Sequence, residues 1–454
     1  MIVRTVHKGS ALIACMIVLM VVSALSAALA GFSAGNLQIA RNHGQLNRAF
    51  ANAESGLEVT RYWLSRVRVS SLTPPSAYLT AVIADAQSDL QESNVANFVV
   101  NNDGSVRPVP LDSATGQVFS GLWSVDTSDP TILEIASTGA SGIASRTVAV
   151  HFNIEPYRFP IFNYGIATKG AIRFPQNPTL TGAAQNWEAD IYIESNNNLV
   201  ALEVGGNANF DGDIDIGNPS ANVSFGGDIQ IAGDFGQTAV DEHVAIGVGP
   251  VEFPVPDTTR FRQYATGPVI DSTTSLAAPG MTLVNATIQA GTNPTFTGNV
   301  TIQGVLLIET PNVVTFGSNV VLQGLIVTTG DASSSSTNQI NFEGNFASGP
   351  YPLDPQFDTI RGEVGSSILA PSSDVSFTGN FASVNGVMAA GSLYFSANAS
   401  ATVKGTMISY SPNPTYVEGN ISMDFDRASA VEIPAGFDLL RVLVYDPASY
   451  AMVF

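Results

Sequence analysis

The segment between Ala11 and Phe32 is built of apolar and small residues and carries no charge. At about 1.5 Å of rise per residue, a helix of this length crosses the roughly 30 Å hydrocarbon core of a bilayer. Arg4 and Lys8 precede it, and basic residues flanking an apolar span stay on the cytoplasmic side. The segment therefore predicts one membrane crossing that sends the remaining chain outward, with the transmembrane helix at residues 10–35.

The helical pattern continues beyond that span. The chain has no proline between Leu37 and Pro74, and apolar residues recur there mostly every three or four positions. Such a stripe is typical of an amphipathic helix, so we expect a stem helix over residues 36–73. The stripe consists of Leu46, Phe50, Ala53, Leu57, Leu64 and Val67.

Three interpretations of the N-terminus stay open. A cleavable secretory signal fits the basic start, the apolar core and the small residues Ala28 and Ala30, with release before Gly31. A lipoprotein is suggested by Cys15, although a lipidated cysteine should follow its apolar core rather than precede it. Third, Lys8-Gly9-Ser10 resembles a prepilin peptidase site, at which a short leader, residues 1–9, is removed and the apolar helix is kept. The helical continuation favours the third interpretation, because such a helix does not normally follow a signal peptide.

The segment from Ala49 to Leu57, an Ala-Glu-Ser-Gly-Leu type stretch at this distance from the junction, is similar to the PilX-like minor pilins. The resemblance covers roughly residues 8–68 and implies a component of a type IV pilus or type II secretion assembly. It further implies prepilin peptidase, other pilin or pseudopilin subunits and the bacterial inner membrane as partners. Ala14 stands where major pilins carry a glutamate that pairs with the neighbouring subunit, so the resemblance implies a minor component rather than the filament body.

Helix packing within such an assembly involves three stem residues. Gly31 and Gly35 form a small-xxx-small pair that allows close approach of a second helix. The alternative is that these glycines loosen the helix where it leaves the membrane. Glu54, from the segment that carries the resemblance, is assigned to stem packing as well.

After Pro74 and Pro75 the period of the pattern changes. Residues 76–93 are compatible with one more helix, and short alternating runs follow. These runs are separated by Asp129-Pro130 and by a Gly-Ala-Ser-Gly turn at residues 139–142, which predicts an antiparallel meander. We therefore expect a small α+β pilin-like head at residues 74–155.

Residues 156–454 repeat a short motif in which a phenylalanine is followed within three positions by Gly and by Asn or Asp. It occurs at Phe210, Phe225, Phe296, Phe316, Phe342 and Phe377. Successive copies at about one coil's length predict a large parallel β-solenoid, similar to a right-handed β-helix, whose phenylalanines stack inside. The whole chain is therefore expected to be mainly β. A β-sandwich is the alternative, since it also produces short, evenly spaced strands.

Charge limits the partners of this large domain. The chain has 38 acidic against 18 basic side chains, and seven of the basic ones precede residue 69. Nucleic-acid binding is disfavoured, because phosphates would meet repulsion. The single cysteine, Cys15, allows no intramolecular disulfide and no thiolate metal cluster.

Evidence for chemistry in the sequence is sparse. The histidines at positions 7, 43, 151 and 243 share no metal-ligand spacing, and no phosphate-binding loop or nucleophile elbow occurs. Asp211, Asp213 and Asp215 alternate and are candidate calcium ligands, but no bidentate glutamate follows at the required spacing, which favours solvated surface acids. We expect no other cofactor.

These observations predict a non-enzymatic, membrane-anchored minor pilin or pseudopilin that displays a β-solenoid for adhesion or as a surface spacer. The C-terminal part is expected in the periplasm or outside the cell, or incorporated in a filament, and the sequence identifies no surface ligand. Two alternatives stay open: a polysaccharide-active β-helix enzyme, secreted or anchored, and a secreted structural protein or adhesin whose signal is cleaved.

Overall fold

The computed structural model describes residues 8–112, 114, 116–276, 280–330, 337–396 and 400–453, with side chains from residue 12 onward. The chain divides into two compact units. The stem-and-head unit comprises Met1–Pro156 together with Leu440–Phe454, and the solenoid unit comprises Tyr157–Leu439. Residues 1–7 of the predicted leader lie outside the described residues.

Helix α1 (Lys8–Leu64) is one continuous helix that includes both predicted helices, the membrane-spanning one and the first part of the stem. It is long and apolar enough to cross a membrane. Residues 12–44 are all exposed within this single chain, whereas the burial pattern from residue 45 onward becomes periodic. The two halves of one helix therefore have different environments.

The second half of α1 packs on a sheet through the predicted stripe. Ala53, Leu57 and Leu64 are buried in the core of the head, and Phe50 packs against it. Glycines at two separate points of contact allow the close approach. A Cβ on Gly139 would lie 2.1 Å from the carbonyl oxygen of Ala49. A Cβ on Gly56 would lie 2.5 Å from the ring of Phe119, so both positions require the absence of a side chain.

The head sheet is antiparallel and has the strand order β1-β32-β5-β4-β3-β2, numbered along the chain. Helix α2 (Tyr78–Glu92) adds Val82, Ile83, Ala86 and Leu90 to the same core. The strands of the sheet are β1 (Arg68–Ser70), β2 (Ser105–Asp112), β3 (Gln117–Val125), β4 (Ile132–Ser141), β5 (Ala144–Pro156) and β32 (Leu440–Val453).

Two boundaries predicted from sequence are corrected by this sheet. The stem helix ends at Leu64 and not at residue 73, because Arg68–Ser70 pairs with β32. The C-terminal residues do not belong to the solenoid predicted at 156–454, because β32 pairs antiparallel with β5, Arg441 lying opposite Pro156. The solenoid unit is thus inserted in sequence between two paired strands of the head.

The solenoid unit contains parallel strands that stack in three columns, and the sandwich alternative is wrong. Its strands are β6 (Ile166–Thr168), β7 (Ile172–Phe174), β8 (Thr179–Gly182), β9 (Ile191–Ile193), β10 (Val200–Val204), β11 (Ala208–Phe210), β12 (Ile214–Ile216), β13 (Asn222–Phe225), β14 (Ile229–Ile231), β15 (Asp234–Phe235), β16 (Val244–Ile246), β17 (Val269–Ile270), β18 (Gly280–Ile288), β19 (Thr295–Phe296), β20 (Asn299–Ile308), β21 (Val313–Phe316), β22 (Val320–Thr328), β23 (Gln339–Phe342), β24 (Phe346–Ser348), β25 (Ser366–Phe377), β26 (Phe381–Asn385), β27 (Val387–Phe395), β28 (Ser400–Lys404), β29 (Met407–Ser409), β30 (Thr415–Val417) and β31 (Ser422–Phe425). A short helix, α3 (Gly236–His243), follows β15.

The predicted phenylalanine stacking is confirmed. Phe296, Phe316, Phe342, Phe377 and Phe395 lie on successive coils, with neighbouring ring centroids 4.9–5.2 Å apart and ring planes within 10° of parallel. The motif glycine at position 379 is needed for close contact between coils. A Cβ on Gly379 would lie 2.2 Å from the carbonyl oxygen of Gly344, so close contact between coils, rather than a left-handed backbone, requires glycine there.

The coils are not stacked in sequence order. Strands β29, β30 and β31, near the end of the unit, pair in parallel with β6, β7 and β8 at its beginning. The chain therefore starts in the middle of the solenoid, builds one end through β16, and resumes at the opposite end with β17. The coils from β18 onward then return to the starting coil.

Segment 247–268 makes this crossing along the first of the three columns, the one formed by β6, β9, β20, β22 and β29. The ring of Phe253 lies 5.9 Å from that of Tyr192, the Tyr410 hydroxyl donates to the Pro254 carbonyl at 2.5 Å, and the Gly267 N–H donates to the Asn285 carbonyl at 2.7 Å. In the part of this column between β20 and β29, outward side chains are buried as well as inward ones, as for Leu307, Val327, Leu369 and Ile408.

Candidate functional site

The exposed half of α1 is the first candidate site. Gly31 and Gly35 have open space around the positions where a Cβ would stand, with no heavy atom of the described chain within 4 Å. Leu25, Leu29 and Phe32 lie on the same part of the helix, and each has more than half of its side chain exposed. This surface is available to lipid or to another helix. Lys8, Gly9 and Ser10 begin the helix, and only their backbone is described.

Glu54 lies in the packed half of the helix. Its carboxylate accepts a hydrogen bond from the hydroxyl of Tyr450 on β32 at 3.2 Å. The structure therefore gives Glu54 a partner within its own chain, while Gly31 and Gly35 are left for contacts outside it.

The second candidate site is a cleft of about 390 Å³ in the solenoid unit, lined by two of the three predicted calcium ligands. Asp211 and Asp213 lie in the turn between β11 and β12, whereas Asp215 lies on β12 itself. Their carboxylates have three different partners: Asp211 accepts from the Gly182 N–H, Asp213 lies 2.7 Å from His243 Nδ1, and Asp215 accepts from the Tyr164 hydroxyl.

The wall of this cleft is a loop, residues 184–190, organised by one buried carboxylate. Glu188 is fully buried and accepts backbone N–H bonds from Ala184, Gln185, Arg427 and Ala428 at 2.6–3.0 Å. Burial alone would raise the pKa of Glu188, but these four donors together lower it below its usual value. The loop is thereby fixed with an ionised glutamate at its centre.

That loop holds an aromatic side chain at the rim of the cleft. Trp187 is 47% exposed although it is one of the largest side chains in the chain. The guanidinium carbon of Arg427 lies 5.2 Å from its ring centroid, and Arg427 is itself buried and donates to the carbonyls of Trp187 and Phe162. A cation over one face of an indole is stabilising and restrains the ring.

Two titratable groups in the cleft have shifted pKa values. Burial raises the pKa of Asp190 to about 6; the nearby Asp213 carboxylate acts in the same direction, against the Asp213 N–H that donates to Asp190. The pKa of His243 is raised by its hydrogen bonds to Asp234 and then to Asp213. Near pH 6 the cleft therefore holds, at Asp190, a carboxyl that exchanges a proton.

Metal-ligand geometry occurs beside this cleft rather than at the predicted aspartates. Oxygen and nitrogen atoms of Asp234, Glu242 and His243 lie within 4.8 Å of one another. Both ring nitrogens of His243 are, however, within 3.0 Å of a carboxylate oxygen, at Asp213 and Asp234. A histidine with a carboxylate at each nitrogen is satisfied as an imidazolium, which is the form that does not bind metal.

Sequence reasoning missed Trp187, Asp190 and His243 as neighbours of Asp213. They come from different coils, and Asp190 and His243 lie 23 and 30 residues from Asp213 in the chain. The signal that was available is the coil length itself, because residues about one coil apart lie side by side in a solenoid.

No protein-family model matches this sequence, and no curated protein sequence matches it. Among solved structures, the competence-associated pilin ComZ from Thermus thermophilus aligns over 90% of this chain and 97% of its own, with 14% sequence identity and a TM-score of 0.29. A TM-score this low does not establish a shared fold.

Proposed function

We propose that this protein is a non-enzymatic, membrane-anchored minor pilin or pseudopilin of a type IV pilus or type II secretion assembly, which displays its solenoid for adhesion or as a spacer. The observation that supports this most strongly is the division of α1. One continuous helix is fixed to the head by its second half, and its apolar first half is bare.

The bare half needs an apolar partner. Leu12, Ile17, Leu25, Leu29 and Phe32 each expose more than half of their side chains. Burying such a side chain is worth about 1.5–3 kcal/mol, so lipid or other apolar helices stabilise this surface strongly relative to water. Residues 12–44 span about 50 Å at 1.5 Å per residue, which exceeds the hydrocarbon core of about 30 Å and leaves a length that reaches beyond it.

Processing by prepilin peptidase between Gly9 and Ser10 fits this helix. A cut at that junction keeps the apolar half joined to the half that packs on the head. A cut before Gly31 would remove most of the apolar half and leave the packed half in place. Position 14, where major pilins carry a glutamate, is an alanine in this chain. This difference further supports a minor role, at a filament tip or in priming.

A deletion variant separates anchoring from display. Because Pro156 and Arg441 are paired neighbours on β5 and β32, residues 157–439 are replaced by a short loop that joins the two strands. We expect the shortened protein to stay in the membrane fraction and to co-purify with pilin-like subunits, but to lose attachment to surfaces. Unchanged attachment would contradict the adhesive role of the solenoid, and loss of membrane retention would contradict anchoring by α1.

A polysaccharide-active enzyme is the second candidate, favoured by one observation. The acidic cleft places Asp190, with its pKa raised to about 6, beside Asp213, under an exposed tryptophan. Glycoside hydrolysis uses a pair of carboxyl groups that flank the scissile bond. Release of reducing ends from neutral and acidic polysaccharides by the full chain, abolished in both Asp190→Asn and Asp213→Asn, would favour the enzyme. No release by the unaltered protein would support the non-enzymatic proposal.

A further inference from the structure

The second strand column of the solenoid carries a continuous row of outward side chains, each in register with the next coil. The row alternates with the inward phenylalanine stack and consists, in spatial order, of Thr295, Thr315, Asn341, Ser376, Tyr394, Tyr416, Arg173, Glu203 and Ser224. The outward side chains Leu307, Val327, Leu369 and Ile408 of the first column are buried, whereas this row is partly or fully exposed. The row is therefore a surface that the chain itself leaves open.

A hollow of about 270 Å³ lies on the row, and we call it the tyrosine groove. Its lining includes Asn341, Asp374, Ser376, Ser392, Tyr394 and Tyr416. A second hollow of about 210 Å³ shares Tyr416 and continues over Arg173 and Glu203 on the following coils. Together they make a shallow path that follows the solenoid axis across several coils.

Two tyrosine rings form the middle of this path. Tyr394 and Tyr416 are register neighbours on adjacent coils, and Tyr416 is 43% exposed. The hydroxyl of Tyr394 donates to Glu418 at 2.8 Å, which holds the ring in place. Large amphipathic rings that are held in advance offer contact area at low entropic cost.

Polar groups flank the rings at the spacing of the coils. The Ser376 hydroxyl donates to the Asn341 side-chain carbonyl at 2.7 Å, which fixes that amide, and Asp374 is hydrogen-bonded to Ser392. These groups present hydroxyl, amide and carboxylate atoms of mixed donor and acceptor character. A ligand that carries many hydroxyl groups, each both donor and acceptor, matches such a set.

Charge narrows the ligand class further. Asp374 is the charged residue that lines the first hollow, and in the second the guanidinium of Arg173 is paired with Glu203 at 3.0 Å. An anionic ligand would therefore meet a net negative surface with its one arginine already engaged. The whole protein, at a formal charge of −20, adds to that repulsion.

We infer that the tyrosine groove binds a neutral polysaccharide chain that runs parallel to the solenoid axis. Adjacent coils repeat at about 4.8 Å, the spacing of paired strands. One hexopyranose unit in an extended glycan advances by a similar length, so successive sugars lie over successive coils. The apolar faces of two sugars then rest on Tyr394 and Tyr416, and their hydroxyls reach the amide and hydroxyl groups on either side. This inference deepens the adhesive role proposed above and rests on it.

The test uses the full chain in lipid nanodiscs, because detergents with sugar head groups would compete for the groove. Calorimetric titration with cellohexaose, maltohexaose and mannohexaose measures binding of neutral chains, and a galacturonate hexamer and a glucosamine hexamer measure the effect of charge. We expect at least one neutral oligosaccharide to bind and the galacturonate hexamer to bind more weakly. If no neutral oligosaccharide binds at millimolar concentration, or if the galacturonate hexamer binds more tightly, the inference is overturned.

Matched variants locate the binding. Tyr416→Ala should weaken the best neutral ligand by about tenfold or more, whereas Tyr416→Phe, which keeps the ring, should stay within about threefold. Trp187→Ala, which removes the exposed aromatic ring of the acidic cleft, should leave binding unchanged. Unchanged affinity in Tyr416→Ala, with an unfolding transition equal to that of the unaltered protein, would contradict the inference, and so would a loss of binding confined to Trp187→Ala.

Failure of this inference is distinguishable from failure of the proposed function. A mature protein that starts at Gly31 would contradict anchoring by α1 and leave glycan binding by the solenoid unit untouched. Conversely, absent glycan binding with a retained helix would contradict only the groove.

Discussion

The two halves of α1 share one backbone and have opposite environments. Residues 12–44 are exposed along their whole circumference, while residues 45–64 bury one stripe against a sheet. The difference lies in composition: residues 12–32 of the first half are apolar or small on every side, and the second half has a polar face. A helix that is apolar all round is stable only inside an apolar environment, so the first half depends on something outside the chain. The second half depends on the head.

Two glycines should respond most differently to substitution: Gly139, which lies on β4 against the second half of α1, and Gly35, which lies in the first half. Gly139→Ala would place a methyl group 2.1 Å from the Ala49 carbonyl oxygen and 2.2 Å from the Ala53 nitrogen, and backbone atoms cannot move aside cheaply. We expect the free energy of unfolding of the head to fall by about 3 kcal/mol or more. Gly35→Ala is the matched control, since it meets open space and should leave that value unchanged.

Denaturation followed by tryptophan fluorescence measures both glycine variants, because Trp63 and Trp123 lie in the head core. Equal stability of the two variants would contradict the close helix–sheet contact.

Leucine truncation sharpens the same comparison. Leu57 is 3% exposed and Leu25 is 60% exposed. Leu57→Ala should cost the head about 2–5 kcal/mol through lost contacts and a residual cavity. Leu25→Ala should change its stability by less than about 0.5 kcal/mol. Urea titration of both variants in the same nanodiscs gives the difference, and a large effect of Leu25→Ala on the head would show that the first half is not independent of it.

A charge in the bare half should affect the membrane and leave the head intact. Leu25→Lys places an ammonium within the predicted span, at a cost of about 2.5–3.5 kcal/mol for a lysine at the bilayer centre. We expect a smaller share of the protein in the membrane fraction, measured by flotation, with the tryptophan unfolding transition unchanged. Arg41→Lys, beyond the span, is the control and should alter neither result.

A single hydrogen bond should have the smallest of these effects. Asn52 is buried and its amide donates to the Ala140 carbonyl at 2.8 Å, joining α1 to the end of β4. Asn52→Ala leaves that carbonyl without its donor and should cost about 1–2 kcal/mol. Ser26→Ala removes a hydroxyl that bonds only to Val22 of its own helix and should cost the head nothing measurable. Equal losses in the two variants would contradict the assignment.

Features set by local periodicity were predictable from the sequence. The stripe that includes Ala53, Leu57 and Leu64 follows the helical period, and its side chains are buried as expected. The phenylalanine stack follows from the recurrence of one motif at coil spacing, because identical positions on successive coils meet. The parallel solenoid was predictable for the same reason.

Features set by contacts distant in sequence were not predictable. Arg68–Ser70 is a strand because it pairs with Leu440–Val442, a partner that no local pattern identifies. The pairing of β29 with β6 depends on where the chain re-enters the solenoid, and the repeat alone does not specify that point. His243 beside Asp213 has the same origin, since α3 brings it back over a neighbouring coil.

The mature N-terminus tests the central claim most directly, because the proposed anchor, partners and peptidase all require α1 to be kept whole. Intact-mass spectrometry of the native protein, purified from its membrane fraction, gives this terminus without any variant. The account predicts a chain that begins at Ser10, with the apolar half of α1 retained. A chain that begins at Gly31 would contradict it, because the protein would then be a secreted one whose signal had been cleaved.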